Sequence, residues 1–201
     1  MSNSLEKVLR EKQELRLSVG ARRENQQEAD LLSRHIWDKM LALPQFVRAR
    51  TVMTYLDIGA EVRTRAYLPE LWQLGKRVVV PYCMTRELRL FDLKSMDELS
   101  PGTWQILEPK PEWRPRMDRR VDAAELDLIV VPGVAFDRYG YRLGLGKGYY
   151  DRFLQCVRPD AVKISPAFEC QLVDKIPVLP HDVRVDMVIT ENAVYHAGKR
   201  D

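Results

Sequence analysis

The stretch LDLIVVPG, Leu126 to Gly133, is a continuous apolar run of strand length closed by proline and glycine, the pattern of a strand covered on both faces. Upstream, TVMTYL (Thr51 to Leu56) is β-rich and runs into the turn-like DIGAE. TRAYLPELWQLGKR then reads as a helix, with Pro69 kinking it or marking its true first turn and Gly75 as its C′ residue. VVVPY, Val78 to Tyr82, follows as a short buried strand. Strand, helix and strand with brief connections predict a right-handed parallel crossover. Further on, ELRLFDL alternates like a half-buried strand, and KPEWRPRMDRR (Lys110 to Arg120) reads as a surface loop. After Gly133, VAFDRYGYRLGLGKG reads as a long loop, YYDRFLQCV as a helix, and AVKIS and MVIT as strands. Residues 4 to 43 predict two helices that break near Gly20 and end at Pro44. The expected fold is α/β, one three-layer domain over residues 1–201 with a mainly parallel central sheet flanked by helices. No repeat or change of composition divides the chain.

Composition narrows the function. The 32 Lys and Arg against 29 Asp and Glu leave a net charge of +3, too balanced to demand nucleic acid as a partner. No run approaches the ~20 apolar residues of a membrane span. Cys83, Cys156 and Cys170 form no CxxC pair, which suits a reducing, cytoplasmic setting. His35, His181 and His196 are too dispersed for an HxxH or HExxH site, so carboxylates would have to supply a metal's protein ligands.

In open α/β sheets ligands bind beyond the carboxyl ends of the strands, here the loops after Leu56 and Val131. The second loop carries Gly144, Gly146 and Gly148 around Leu145 and Lys147, with Arg142 before and a helix after. Glycines allow close backbone approach, and amides opening a helix favour an anion. The loop is neither a P-loop, since Gly148 follows Lys147 where Ser or Thr is required, nor a dinucleotide fingerprint, since about ten residues separate it from the strand. As a bare pattern, GxGxG fits a plain turn as well as a phosphate loop. The flanking cations shift the balance, because a cation ~4 Å from a phosphate oxygen gains about 4 kcal/mol at an effective dielectric near 20. Asp151, in the first turn of the next helix, reads on composition alone as a carboxylate favoured by the helix dipole.

PGVAFDRYGYRLGLGKGYYDRFL, Pro132 to Leu154, resembles the signature of the 5-formyltetrahydrofolate cyclo-ligase family, also called methenyltetrahydrofolate synthetases. The likeness extends to the N-terminal helix with Lys7 and Arg10, to YLDIGAE, GKRVVVP and the GTW segment, and to VRVDMVIT near the end. It implies an architecture resembling the NagB/RpiA/CoA-transferase-like fold and a site shared by ATP, magnesium and a reduced folate. On that resemblance Arg142, Leu143, Gly144, Leu145, Gly146, Lys147, Gly148, Tyr149 and Tyr150 form the ATP loop, and Leu145 to Tyr149 also meet the folate. Asp151 and Asp186 match magnesium ligands. Leu56 and Glu61 match folate-contacting positions, with Glu61 hydrogen-bonded to the pterin, and Trp104 matches an aromatic packed near it. Family members commonly carry Lys-x-x-x-Arg on the first helix for the nucleotide phosphates. Here Arg10 fits, Glu6 stands at the lysine position, and Lys7 is the nearest substitute on the same helix face.

The implied reaction converts 5-formyltetrahydrofolate into 5,10-methenyltetrahydrofolate with ATP hydrolysed to ADP and phosphate, by way of a phosphorylated formyl group. Arg142, Lys147 and Tyr149 are the expected catalytic residues, Lys147 following the transferred phosphoryl and Tyr149 packing beside the reacting end of the folate. Magnesium is the expected cofactor, ATP and the folate the expected partners, and the chain is expected to be a cytoplasmic monomer without nucleic acid or membrane. Two alternatives stay open: a sugar-phosphate isomerase using the same glycine loop without ATP, and a folate- or nucleotide-binding relative without turnover.

Overall fold

The computed structural model describes residues 2–85, 87–102 and 106–198. Its first helix, α1 (Ser2–Glu24), runs straight through Gly20, and the chain breaks instead at 25–28, where Glu28 adopts a left-handed φ of 55°. Next come α2 (Ala29–Ala42) and a short α3 (Pro44–Arg48) whose Pro44 opens the helix, a role open to proline because the first-turn N–H has no partner. Strand β1 (Thr51–Met53) leads into the loop DIGAE. A 3-10 turn at Arg65–Tyr67 continues into α4 (Leu68–Gln73), with Pro69 in its first turn and Gly75 left-handed just beyond its end.

The remaining strands are β2 (Arg77–Met84), β3 (Glu87–Leu93), β4 (Leu99–Pro101), β5 (Leu107–Pro109), β6 (Arg120–Val121), β7 (Leu128–Val130), β8 (Ala135–Phe136) and β9 (Arg142–Leu143). After them come α5 (Tyr149–Leu154), β10 (Val162–Pro166), β11 (Met187–Ile189) and β12 (Val194–His196). Eight strands form the main sheet in the order β12-β11-β10-β7-β1-β2-β3-β6. The five central strands pair parallel, and β12, β3 and β6 pair antiparallel.

Each central strand is buried on both faces, and its alternate residues serve different layers. Val52, Val78, Val80, Leu128 and Val130 meet Ile36, Trp37 and Met40 of α2. Met53, Val79, Ile129 and Val131 meet Phe153 and Leu154 of α5. One expectation needs correction: the segment after Gly133 is no plain loop but closes on itself as the β8–β9 hairpin. Strand β12, whose VYH is too short a pattern to read from sequence, pairs with β11. Among the described residues no helix is long and apolar enough to cross a membrane.

The chain adds β2 on one side of β1 and β7 on the other, so the winding reverses between β1 and β7. A crevice at the carboxyl ends is the geometric result of that reversal.

Candidate active site

The crevice is a cavity of about 370 Å³. The loop after β1 contributes Tyr55, Leu56, Ile58 and Glu61, the end of β2 contributes Pro81, Tyr82 and Cys83, and Pro132 to Val134 follow β7. The opposite wall is the run from Arg142 to Asp151, with Leu9, Lys12 and Arg16 of α1 and the segment carrying Leu179, His181 and Asp182.

Arg142 is the electrostatic centre of that wall. Its side chain is 2% exposed, and Nη2 donates to Asp151 Oδ1 at 3.0 Å. Its Nε is buried without an acceptor, so one hydrogen-bonding direction of the guanidinium is left for something else. Burial pulls the Arg142 pKa down, and the Asp151 carboxylate works against that shift. Arg16 is also lowered by burial; its Nε donates to Gly144 O at 2.9 Å, tying α1 to the glycine loop. Lys12, 5% exposed, forms an ion pair with Asp182, which also accepts the Leu179 N–H at 2.7 Å.

Gly146 (φ 91°) and Gly148 (φ 67°) hold left-handed conformations that bend the loop around the cavity. Among the described residues, no acceptor takes the main-chain N–H groups from Gly144 to Gly148. Lys147 is exposed at the cavity rim, while its carbonyl accepts Arg152 Nη1 at 3.1 Å. Tyr149 lines the mouth, its hydroxyl 3.4 Å from Thr85 O and its ring under the Arg152 guanidinium.

The half nearer β1 and β2 is more apolar. Glu61 borders it, Oε2 accepting the Ile58 N–H at 3.0 Å. Burial raises the Glu61 pKa above the ordinary carboxylate value, with the Ile58 N–H and Arg23 opposing. Tyr150 faces the same space, and burial pushes its hydroxyl far above the ordinary tyrosine value.

Leu56, Glu61 and Arg142 to Asp151 are thus brought to one cavity. Trp104 lies outside the described residues. Three expected residues are not brought to it. Lys7 and Arg10 project into solvent, 69% and 73% exposed, beside Glu11 and Glu14 one turn on. The cations of α1 at the cavity are Lys12 and Arg16, one turn apart in KQELR. That segment repeats the Lys-x-x-x-Arg spacing six residues beyond Glu6 and Arg10, so the signal was present in a different register. Asp186 does not share a site with Asp151: it precedes β11 at the amino end of the parallel strands, its Oδ2 accepts the Lys163 N–H at 2.8 Å, and Lys163 Nζ lies 3.6 Å away. Asp182, which no motif announced, lines the same wall of the cavity as Asp151.

Fold and site together define an α/β enzyme whose switch-point cavity joins a wall carrying Lys12, Arg16 and Arg142 to an apolar cleft. Residues 7–191 match the 5-formyltetrahydrofolate cyclo-ligase family, and the chain belongs to that family. It is 34% identical over 161 residues to the 5-formyltetrahydrofolate cyclo-ligase of Escherichia coli K12, covering 78% of this chain and 86% of that one. With the mouse protein of the same name it shares 31% over 204 residues, 95% and 96% of the two chains. Its structure is similar to that of 5,10-methenyltetrahydrofolate synthetase from Aquifex aeolicus, with a TM-score of 0.81, 34% identity and 94% of each chain covered. The Mycoplasma pneumoniae synthetase superposes with a TM-score of 0.71 at 25% identity, covering 90% of this chain and 98% of that one.

Proposed function

We propose that this chain closes 5-formyltetrahydrofolate to 5,10-methenyltetrahydrofolate, with ATP converted to ADP and phosphate and magnesium required. One observation carries the reading: buried Arg142 with its unpaired Nε, the glycine loop with its untaken amides, and an apolar cleft bordered by Leu56 and Glu61 line a single cavity. A nucleotide's phosphates match the first two, and a reduced pterin matches the third.

A formamide oxygen is a poor leaving group. In the proposed sequence the formyl oxygen attacks the γ-phosphorus as ADP departs, leaving an N5-iminium phosphate. N10 then attacks the formyl carbon and gives up its proton, and the oxygen leaves with the phosphoryl group as inorganic phosphate, which carries that proton away. Such chemistry needs alignment and charge neutralisation more than covalent help. Arg142 and the loop amides hold the phosphates, Lys12 and Arg16 add charge from α1, and Lys147 follows the transferred group from the rim. Glu61 accepts hydrogen bonds from the pterin, and Tyr149 packs beside the reacting end.

For magnesium the residues fit an ion that arrives on the phosphates. Among the described residues no cluster of three or more metal-binding side chains forms a protein cage, while Asp151 faces the cavity and a phosphate-borne ion needs only one or two carboxylates. When bound, the ion supplies charge neutralisation at the phosphoryl oxygens.

The test is spectroscopic. Protein mixed with 5-formyltetrahydrofolate, ATP and magnesium should develop the methenyl chromophore, and omitting ATP should abolish it. Lys147→Ala should lower kcat/KM for ATP by about 100-fold, the scale of one lost transition-state donor, with the melting temperature unchanged. Folded wild-type protein that produced no chromophore would overturn the proposal in favour of a binding role without turnover.

A further inference from the structure

The loop that carries Glu61 leaves β1 at Tyr55 and returns at Thr64. Among the described residues it forms one main-chain pair of its own, Glu61 N–H to Ile58 O at 3.1 Å. Loop amides that do not pair with each other need side-chain partners where they are buried. Asp57, 2% exposed, supplies them at the neck. Its Oδ1 accepts the N–H groups of Thr64 at 2.9 Å and of Arg65 at 2.8 Å, and its Oδ2 accepts Arg65 Nη2 at 3.2 Å. In the other direction the Asp57 N–H donates to Thr64 Oγ1 at 3.1 Å, and that hydroxyl donates to Tyr55 O at 2.6 Å.

Leu56, Ile58 and Glu61 line the cavity, while Asp57 between them does not. The return of the loop is fixed as well. Tyr55 Oη donates to Val62 O at 3.0 Å, Trp37 Nε1 of α2 donates to Arg63 O at 2.6 Å, and Ser33 Oγ accepts the Arg63 N–H at 3.0 Å. Glu61 therefore sits between two fixed ends, and its carboxylate turns back onto the N–H of Ile58, the residue next to Asp57. A binding group held in place before its ligand arrives gives up less freedom when the ligand binds.

Resting on the function proposed above, we propose that Asp57 is a positioning residue for the folate: by closing the neck of this loop it holds the Glu61 carboxylate ready for the pterin. Asp57 touches neither substrate, and its effect on binding passes through Glu61.

The experiment is a double-variant cycle in steady-state kinetics, run well below the melting temperature of every variant. Asp57→Ala should raise KM for 5-formyltetrahydrofolate about tenfold, the scale of one lost charge-assisted hydrogen bond. Its kcat should stay within about twofold of wild type, because no contact to the reacting atoms is removed. Asp57→Asn keeps an oxygen for the Thr64 and Arg65 N–H groups and should return KM to within about threefold of wild type. In a Glu61→Gln background Asp57→Ala should add less than about twofold to KM, whereas two independent effects would multiply to about 100-fold. If Asp57→Ala does not fold, Thr64→Val, which cuts the neck at the hydroxyl with little change of volume, carries the same comparison. An unchanged KM in the folded neck variant, no recovery with Asn, or factors that multiply in the double variant overturn this inference and leave the proposed activity intact. No product from wild type overturns the activity and the inference with it.

Discussion

Glu61 is a carboxylate in a place that disfavours its charge, and that makes its contribution separable from the rest of the cavity. Burial holds its folded pKa above the unfolded value near 4.3. Between those two values the folded chain keeps a proton that the unfolded chain has lost, so stability falls as pH rises through the window. Glu61→Gln should therefore melt higher than wild type at pH 7 and show no gain at pH 4, with Gln still able to accept the Ile58 N–H. It should also raise KM for the folate about tenfold, since a charged acceptor is lost. A lower melting temperature at pH 7, or an unchanged KM, would contradict this account. The basic residues of α1 make a second comparison. Lys7→Ala and Arg10→Ala should leave KM for ATP within about twofold, as solvated charges do, whereas Lys12→Ala should raise it at least tenfold. The reverse ranking in steady-state kinetics would restore the outer pair.

At the scale of elements, the glycine loop between β9 and α5 is where conformation and chemistry meet. A Cβ at Gly148 would lie 2.9 Å from Arg152 Nη1 on a backbone with φ 67°, so Gly148→Ala must move the loop or strain it by about 1–2 kcal/mol. Because the loop lies at the rim, the expected result is a large rise in KM for ATP with a small change in melting temperature. An equal loss of stability and activity would mean that the loop is part of the core. The place of this loop at the cavity was legible from three glycines, two flanking cations and a position beyond a parallel strand. The face of α1 was not. Leu5, Leu9 and Leu17 are exposed and Val19 is buried, so the apolar pattern does not mark the packed side. Lys12 defies the rule that helix lysines face water, because Asp182 arrives from 170 residues away to pair with it. Asp186 misled for the same reason: a matching motif names a residue but not the direction in which its carboxylate points.

For the molecule as a whole, the parallel core was readable because strands buried on both faces must be apolar throughout, as LDLIVVPG and VVVPY are. The winding reversal between β1 and β7 then fixes where a ligand can lie. What local patterns could not supply was the traffic between distant segments that builds the cavity's charged wall from α1, β9, α5 and the segment before β11. The claim that unites fold, wall and cleft is that a phosphoryl group passes from ATP to the formyl oxygen inside this cavity. It is tested most directly by turning over 5-formyltetrahydrofolate labelled with ¹⁸O in the formyl group and analysing the phosphate released. The account predicts one labelled oxygen in each inorganic phosphate, formed in equal amount with ADP and the methenyl product. Unlabelled phosphate, with the heavy oxygen released as water, would contradict it.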